Sequence, residues 1–472
     1  MSVVRDQFSS RIIFRIKIIL AWAGIGLLGY GLWYGYGAMS IISAYGAKNL
    51  CSCVFVAGRE PEQVIAEELG TTLSALGTYT IDRSDSSAEG SVFGLAQHRA
   101  IFRNGLGCTL VNGINEDALR KQPFHGAPPA RLNDTLAWPQ GDRTAASIPA
   151  NIDTTLLNAA IREAFNETDP ERLKRTRAVV VVYRDTIIAE QYAPGFSKTS
   201  PLMGWSMTKS LTNALAGLLS GDGKLDLTAP AAVPEWHKKK GDPRSAITLN
   251  HLMHASSGLE WDEFYGGPSD ATRMLFLEPD AGAIAAAKSA ETGPDEIFEY
   301  SSGTTNIISG IVRRTIGDTD YHRFPYDRLF RKIGMNGMLM EPDPSGTFVG
   351  SSYSYAPARD WARFGLLYLH DGVWLGERIL PEGWVTYTST PAPAALRGEY
   401  GAQWWLNAGE PGNPSNRTYP DVPAESFQCE GFEGQYVFVI PSKDLVVVRL
   451  GLTQGGDFDM NGLVSGIIRS IR

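Results

Sequence analysis

A chain of 472 residues with 43% hydrophobic and 20% charged residues has the composition of a globular protein, and its length calls for one large or two coupled domains. Its net charge is −8, and the basic runs of the body are short, ERLKRTR from Glu171 and HKKK from His237. That argues against a nucleic-acid partner, because phosphate binding needs Lys and Arg concentrated over a surface.

The first element is apolar. No charged residue occurs from Ile18 to Ala47, a run long enough to cross about 30 Å of hydrocarbon. Arg5, Arg11, Arg15 and Lys17 precede it, so segment 1–17 is expected in the cytoplasm and the body, which follows the anchor over 18–47, outside the inner membrane. Trp33, Tyr34 and Tyr36 suit an interfacial belt. A cleaved signal peptide is the competing reading, with Ala44-Tyr45-Gly46 a fair cleavage site. Cys51 and Cys53 have no second pair at metal-ligand spacing. In an exported body Cys108 is the natural disulfide partner for one of them, and four cysteines allow three full pairings.

Residues 48–150 form an N-terminal extension with one helical stretch, EPEQVIAEELGTTLSAL, and end in a loop, GAPPARLNDTLAWPQGD. Residues 153–166 predict a helix capped by Asp153. Two β-branched runs, Ala178–Tyr183 and Thr186–Gln191, flank Arg184-Asp185 and predict a hairpin. Helical periods then dominate from about 210 to 345, as in MTKSLTNALAGLLSG, TLNHLMHASSG and TTNIISGIVRRTIG. After the helix RDWARFGLLYLHDG, strands return in YGAQWWLNA, QYVFVIP and DLVVVRLGL, and GLVSGIIRSIR closes the chain as a helix. Strands near both ends with helices between them imply an α+β fold over 151–472: an antiparallel sheet flanked by helices, plus an inserted helical subdomain, with a cleft between them.

The chemistry-bearing motif is Ser206-Met207-Thr208-Lys209. A serine hydroxyl is a weak nucleophile that needs a base within hydrogen-bond reach, and residues three apart share one helix face. Free amides at a helix start favour developing negative charge. Trp205 before it and the apolar stretch Leu211–Leu219 after it predict a buried helix.

With these neighbours the chain resembles the serine β-lactamase-related superfamily: class C β-lactamases, DD-peptidases, family VIII esterases and, above all, 6-aminohexanoate-dimer hydrolases. The resemblance spans roughly 150–472 and rests on GWSMTKSLTNALAGLLSGDGKLDL, ITLNHLMHASSGLEW, IFEYSSGTTNIISGIV, ARDWARFGLLYLHDGVWLGERILPEGWV and GFEGQYVFVIPSKDLVVVRLG, all in one order. It implies a nucleophile at Ser206 and proton-transfer partners at Lys209 and Tyr300, the latter in Tyr300-Ser301-Ser302 where the superfamily has Tyr-x-Asn. A tyrosine near a cation can have a lowered pKa. Ser302 replaces the Asn and keeps one hydrogen bond. The superfamily's third motif, Lys-Thr-Gly, aligns with Phe432-Glu433-Gly434, which removes the cation that grips a carboxylate. Glu433 would instead favour a cationic amine, Gly434 would leave room for substrate, and the backbone N–H groups of Ser206 and Gln435 would form the oxyanion hole.

The implied reaction is two-step acyl transfer from a small amide or ester, with no metal or organic cofactor and with either Lys209 or Tyr300 as base. A β-lactamase or DD-peptidase, or a catalytically silent envelope binding protein, are the alternatives. Asp270, and with it Asp262 and Glu263, could line the cleft and read a substrate amine. His98, His125, His237, His251, His254, His322 and His370 follow no metal-ligand spacing and are expected to be structural.

Overall fold

The computed structural model describes residues 2–124, 135–454 and 457–472, with side chains from residue 15 onward except that of residue 72; His125 and most of the predicted 126–142 loop lie outside them. Helix α1 (Ser2–Phe55) does not end with the apolar run. From Ile18 to Tyr36 every residue but Gly35 is exposed; from Ser40 to Val54 most residues are buried. One rod therefore leaves the protein as a bare apolar helix about 28 Å long and re-enters it as a core element.

The buried half of α1 is wrapped by four antiparallel strands, β1 (Gly77–Asp82), β2 (Ser87–Val92), β3 (Leu95–Arg103) and β4 (Gly107–Leu110), paired in sequence order. The contact is close enough to need glycine. A Cβ on Gly90 would lie 2.2 Å from the Ser43 carbonyl oxygen, and one on Gly46 would fall inside the Tyr79 ring. A disulfide between Cys51 and Cys108 ties α1 to β4 across 57 residues, while Cys53 and Cys429 are free and buried. Glu341, from the body, accepts from Lys48, from Ser52 Oγ at 2.9 Å and from the Cys108 amide at 2.6 Å, so helix, small sheet and body meet at one buried carboxylate.

The body is α+β. Asp153 caps helix α2 (Thr154–Phe165), accepting from the amides of Thr155 and Leu156. The predicted hairpin is β5 (Thr176–Tyr183) and β6 (Thr186–Tyr192), with Arg184 and Asp185 both left-handed at φ 46° and 56°, as a type I′ turn requires. These strands join β7 (Trp405–Leu406), β8 (Phe427–Gly431), β9 (Gln435–Ile440) and β10 (Leu445–Gly451) in one antiparallel sheet of order β7-β8-β9-β10-β5-β6. The sheet is buried on both sides, and alternation sorts its valines. Val179, Val181 and Val447 pack with α2 and the closing helix Met460–Arg469, whereas Val180, Val182, Val437 and Val446 join the main core with the helix Ala358–Leu369. The segment WVTYTS forms a short helix, Trp384–Thr388, and most of YGAQWWLNA is irregular apart from β7. Between β6 and β7 run the helices of the middle region, among them α3 (Thr208–Gly221) and α4 (Ser302–Ile316), which pack against each other.

Candidate active site

Gly204 leads the chain into a single 3-10 turn, Trp205–Met207, that opens directly into α3. Trp205 takes φ +47°, a costly angle for a bulky residue, and Thr208 anchors the turn by donating to the Trp205 carbonyl at 2.6 Å. Ser206 is thereby presented at the base of a cavity of about 590 Å³ while Lys209, one turn on, is 2% exposed. The Lys209 Nζ reaches Ser206 Oγ at 3.1 Å, Ser302 Oγ at 2.9 Å and the Ser351 carbonyl at 3.2 Å. Burial pushes its pKa down to about 8, against the opposing pull of the Glu263 carboxylate.

Tyr300 lies across Lys209, with Nζ 4.7 Å from its ring centroid, and its phenol hydrogen-bonds Ser206. Trp405 stacks on it at 5.0 Å and Tyr400 meets it edge-on at 5.9 Å, which fixes the ring plane. The expected lowering of its pKa is overturned: burial drives the phenol well above the ordinary tyrosine value, because the cation faces the ring rather than the oxygen. The hydroxyl, ammonium and phenol expected to converge do so, with Ser206 and Tyr300 lining the cavity and Lys209 buried behind them.

Several neighbours differ from expectation. Ser302 does not face the cavity. It is fully buried, donating to Glu263 Oε1 at 2.5 Å while accepting from Lys209. Asp270 is no cleft residue either: it begins the helix Asp270–Phe276 and pairs with Lys288 at 2.6 Å. Glu263, which nothing in the sequence separated from its acidic neighbours, is the carboxylate at the site. It accepts from the Ser302 amide at 2.9 Å, from Trp261 Nε1 at 2.5 Å and from the Tyr265 hydroxyl at 2.8 Å.

In the third-motif segment Gln435 lies in the ladder opposite Gly431, with its side chain bonded to the Gly451 carbonyl at 2.7 Å and the Phe432 carbonyl at 3.1 Å. Gly434, φ +82°, lines the cavity beside Arg449, whose guanidinium would lie 2.3 Å from an added Cβ. The glycine that meets the turn carrying Ser206 is Gly431, where a Cβ would lie 2.2 Å from the Gly204 carbonyl oxygen. Phe432, next to it, packs edge-on against Trp205 at 5.8 Å and lines the cavity. Glu433 also lines the cavity; a hydrogen bond with Trp205 and the nearby Arg177 only partly offset burial, which raises its carboxyl to about 7.

Among the described histidines, His251 closes the cap of the helix Leu249–Met253, His322 bonds the Gly346 carbonyl at 2.7 Å and His370 faces Asp185 at 2.6 Å. Among the described residues no three His, Cys, Asp or Glu side chains gather as metal ligands would.

The beta-lactamase family profile matches residues 166–463, well over half of the chain. The chain belongs to the beta-lactamase family. The 6-aminohexanoate-dimer hydrolase of Paenarthrobacter ureafaciens is 25% identical over 383 residues, 75% of this chain and 92% of that one. A Bacillus anthracis structure designated a candidate 6-aminohexanoate-dimer hydrolase superposes with a TM-score of 0.53 at 21% identity, covering 79% of this chain and 90% of its own. A family VIII carboxylesterase gives 0.53 at 13% identity over 69% and 99%. At such identities these two structures establish the shared fold.

Proposed function

We propose that this chain is a serine hydrolase that forms an acyl-enzyme on Ser206 and cleaves an amide or ester. The observation that carries the reading is the buried Lys209 amine, with a pKa of about 8, placed 3.1 Å from the Ser206 hydroxyl. A neutral fraction of that amine is present near pH 7–8, whereas the phenol of Tyr300 stays protonated. Lys209 therefore takes the Ser206 proton as the hydroxyl attacks the carbonyl, and Tyr300 passes a proton to the leaving nitrogen or oxygen and is reprotonated from Lys209. Water then releases the acyl group through the same groups in reverse. The developing oxyanion is held by the backbone N–H groups of Ser206 and Phe432, the second assigned by the contact of Gly431 with Gly204. Such a donor contributes about 3–4 kcal/mol.

Two features favour an amidase or esterase over a β-lactamase or DD-peptidase. No Lys or Arg lines the cavity among the described residues, so a substrate carboxylate finds no cation, and Glu433 suits an amine or a neutral end. The similarity to a 6-aminohexanoate-dimer hydrolase points the same way. The bare helix from Ile18 to Tyr36 anchors the body in a membrane, and the Cys51–Cys108 bridge suits an oxidising compartment outside the cytoplasm.

The test is labelling by a fluorophosphonate, read by mass spectrometry, beside turnover of p-nitrophenyl butyrate, nitrocefin and an aminohexanoate dimer. An adduct on Ser206 with ester or amide turnover, both lost in Ser206→Ala, is expected. Turnover of nitrocefin alone would favour the β-lactamase reading, and an unlabelled, inactive protein would leave a binding scaffold.

A further inference from the structure

The wall of the cavity is built partly by the helix that leaves the protein. Ala38, Ile41, Ile42 and Tyr45 of α1 line it together with Ser206 and Tyr300. Their spacing of three, one and three residues places them on a single face of the helix. The opposite face, at Ser43 and Gly46, is the one covered by the small sheet. One turn before Ala38 the stripe continues to Tyr34, which closes against the loop after Glu263: a Cβ on Gly267 would lie 2.9 Å from the Tyr34 hydroxyl. Ile42 is six residues from Tyr36, the last residue of the bare segment, a rise of about 9 Å.

The surface around this point is apolar on both sides of the helix. Leu73 and Leu76 are 54% and 48% exposed on the turn Thr72–Leu76, and Phe93 and Leu95, at the tip joining β2 to β3, are 74% and 56% exposed. Both lie at the level of Ile42 and Ser43: the Tyr79 hydroxyl donates to the Ser74 carbonyl at 2.7 Å and to the Ile42 carbonyl of α1 at 3.5 Å, and Ser43 Oγ donates to the Ala96 carbonyl. Across the cavity, Phe264 and Phe432 are 60% and 56% exposed. Isolated exposed apolar side chains need no explanation, but a ring of them around the base of a bare apolar helix does.

We propose that the substrate enters from the bilayer, its acyl chain lying against the 38–45 face of α1 while its carbonyl reaches Ser206. This rests on the serine hydrolase reading and narrows it to long-chain acyl esters or amides. The cavity also constrains the head group. Glu430, Glu433 and Asp457 line it, with Glu68, which is paired with Arg59 and Arg177, and no Lys or Arg does among the described residues, so a neutral or cationic head fits and a phosphate monoester does not. In the reaction the Ser206 Oγ–acyl carbon bond forms as the acyl–oxygen or acyl–nitrogen bond breaks. The Ser206 proton ends on the leaving alcohol or amine, and water then yields the free fatty acid.

The test uses the full chain in phosphatidylcholine nanodiscs, with p-nitrophenyl acetate and laurate as paired probes and 1-oleoylglycerol and 1-oleoyl-lysophosphatidate as bilayer substrates. Expected are a kcat/KM for laurate at least tenfold above acetate, oleate released from 1-oleoylglycerol, and release from lysophosphatidate at least tenfold slower. Ala38→Trp, which fills the helix side of the cavity, should lower the laurate-to-acetate ratio at least tenfold. Acetate cleaved as fast as laurate with no oleate released, while Ser206 still takes a fluorophosphonate, would overturn the proposal and leave the hydrolase reading standing. An unchanged ratio in Ala38→Trp would remove α1 from the chain-binding wall, and equal rates on the two oleoyl lipids would overturn the head-group assignment. Neither labelling nor turnover would overturn both readings.

Discussion

The chemistry turns on one buried nitrogen. Lys209 donates toward Ser206, Ser302 and a carbonyl, and its pKa of about 8 is a balance: desolvation lowers it and Glu263 raises it. As the base must be neutral, kcat/KM should climb with pH and level off above about 8. In Glu263→Gln the raising charge is gone, so the inflection should move to lower pH, which a pH–rate profile on p-nitrophenyl butyrate reads directly; an unmoved inflection would show that Glu263 does not act on Lys209. Gly431→Ala places a carbon 2.2 Å from the Gly204 carbonyl oxygen, so the nucleophile turn must shift. A displacement near 1 Å at a reacting group costs about a hundredfold, and kcat/KM should fall by that order with the fold retained by circular dichroism. Ser206 and Lys209 were legible because three residues on one helix hold them together. Glu263 was not, because its value lies in three donors supplied by Trp261, Tyr265 and Ser302, which local spacing does not record.

Helices α2 and α4 and the hairpin follow their sequence signals closely: Asp153 caps, Gly317 ends α4 at φ +83°, and Arg184-Asp185 turns, whereas the predicted helix EPEQVIAEELGTTLSAL is broken into short turns, Pro61–Val64, Ile65–Leu69 and Thr72–Leu76. The strands β1–β4 carried no comparable signal. Stretches such as SAEGSV are short, polar and glycine-containing, and they are strands because α1 covers one side of them. Their attachment is covalent as well as packed. Reduction of the Cys51–Cys108 bridge, or Cys51→Ser, frees a 57-residue loop and should lower stability by about 2–4 kcal/mol, seen as a lower denaturation midpoint with and without reductant.

At the scale of the molecule, α1 and the body are joined by a buried ion pair. Lys48 and Glu341 are 2% and 0% exposed, and Ser52 and the Cys108 amide complete the carboxylate's shell. Lys48→Met leaves that charge buried without its cation, a loss of about 3–5 kcal/mol, whereas Lys48→Met with Glu341→Met should recover much of it; chemical denaturation of both variants decides. A double variant no better than the single one would show that the pair is not the coupling.

The sequence by itself determined the α+β body, the helix that follows Ser206 and a helix long and apolar enough to cross a membrane, because each is written in local periodicity, caps and adjacent residues. Tertiary structure alone decided which carboxylate faces Lys209, which glycine meets the nucleophile turn and that α1 forms part of the cavity wall. Those depend on contacts between segments far apart in the chain, and close packing rather than residue type selects the partner.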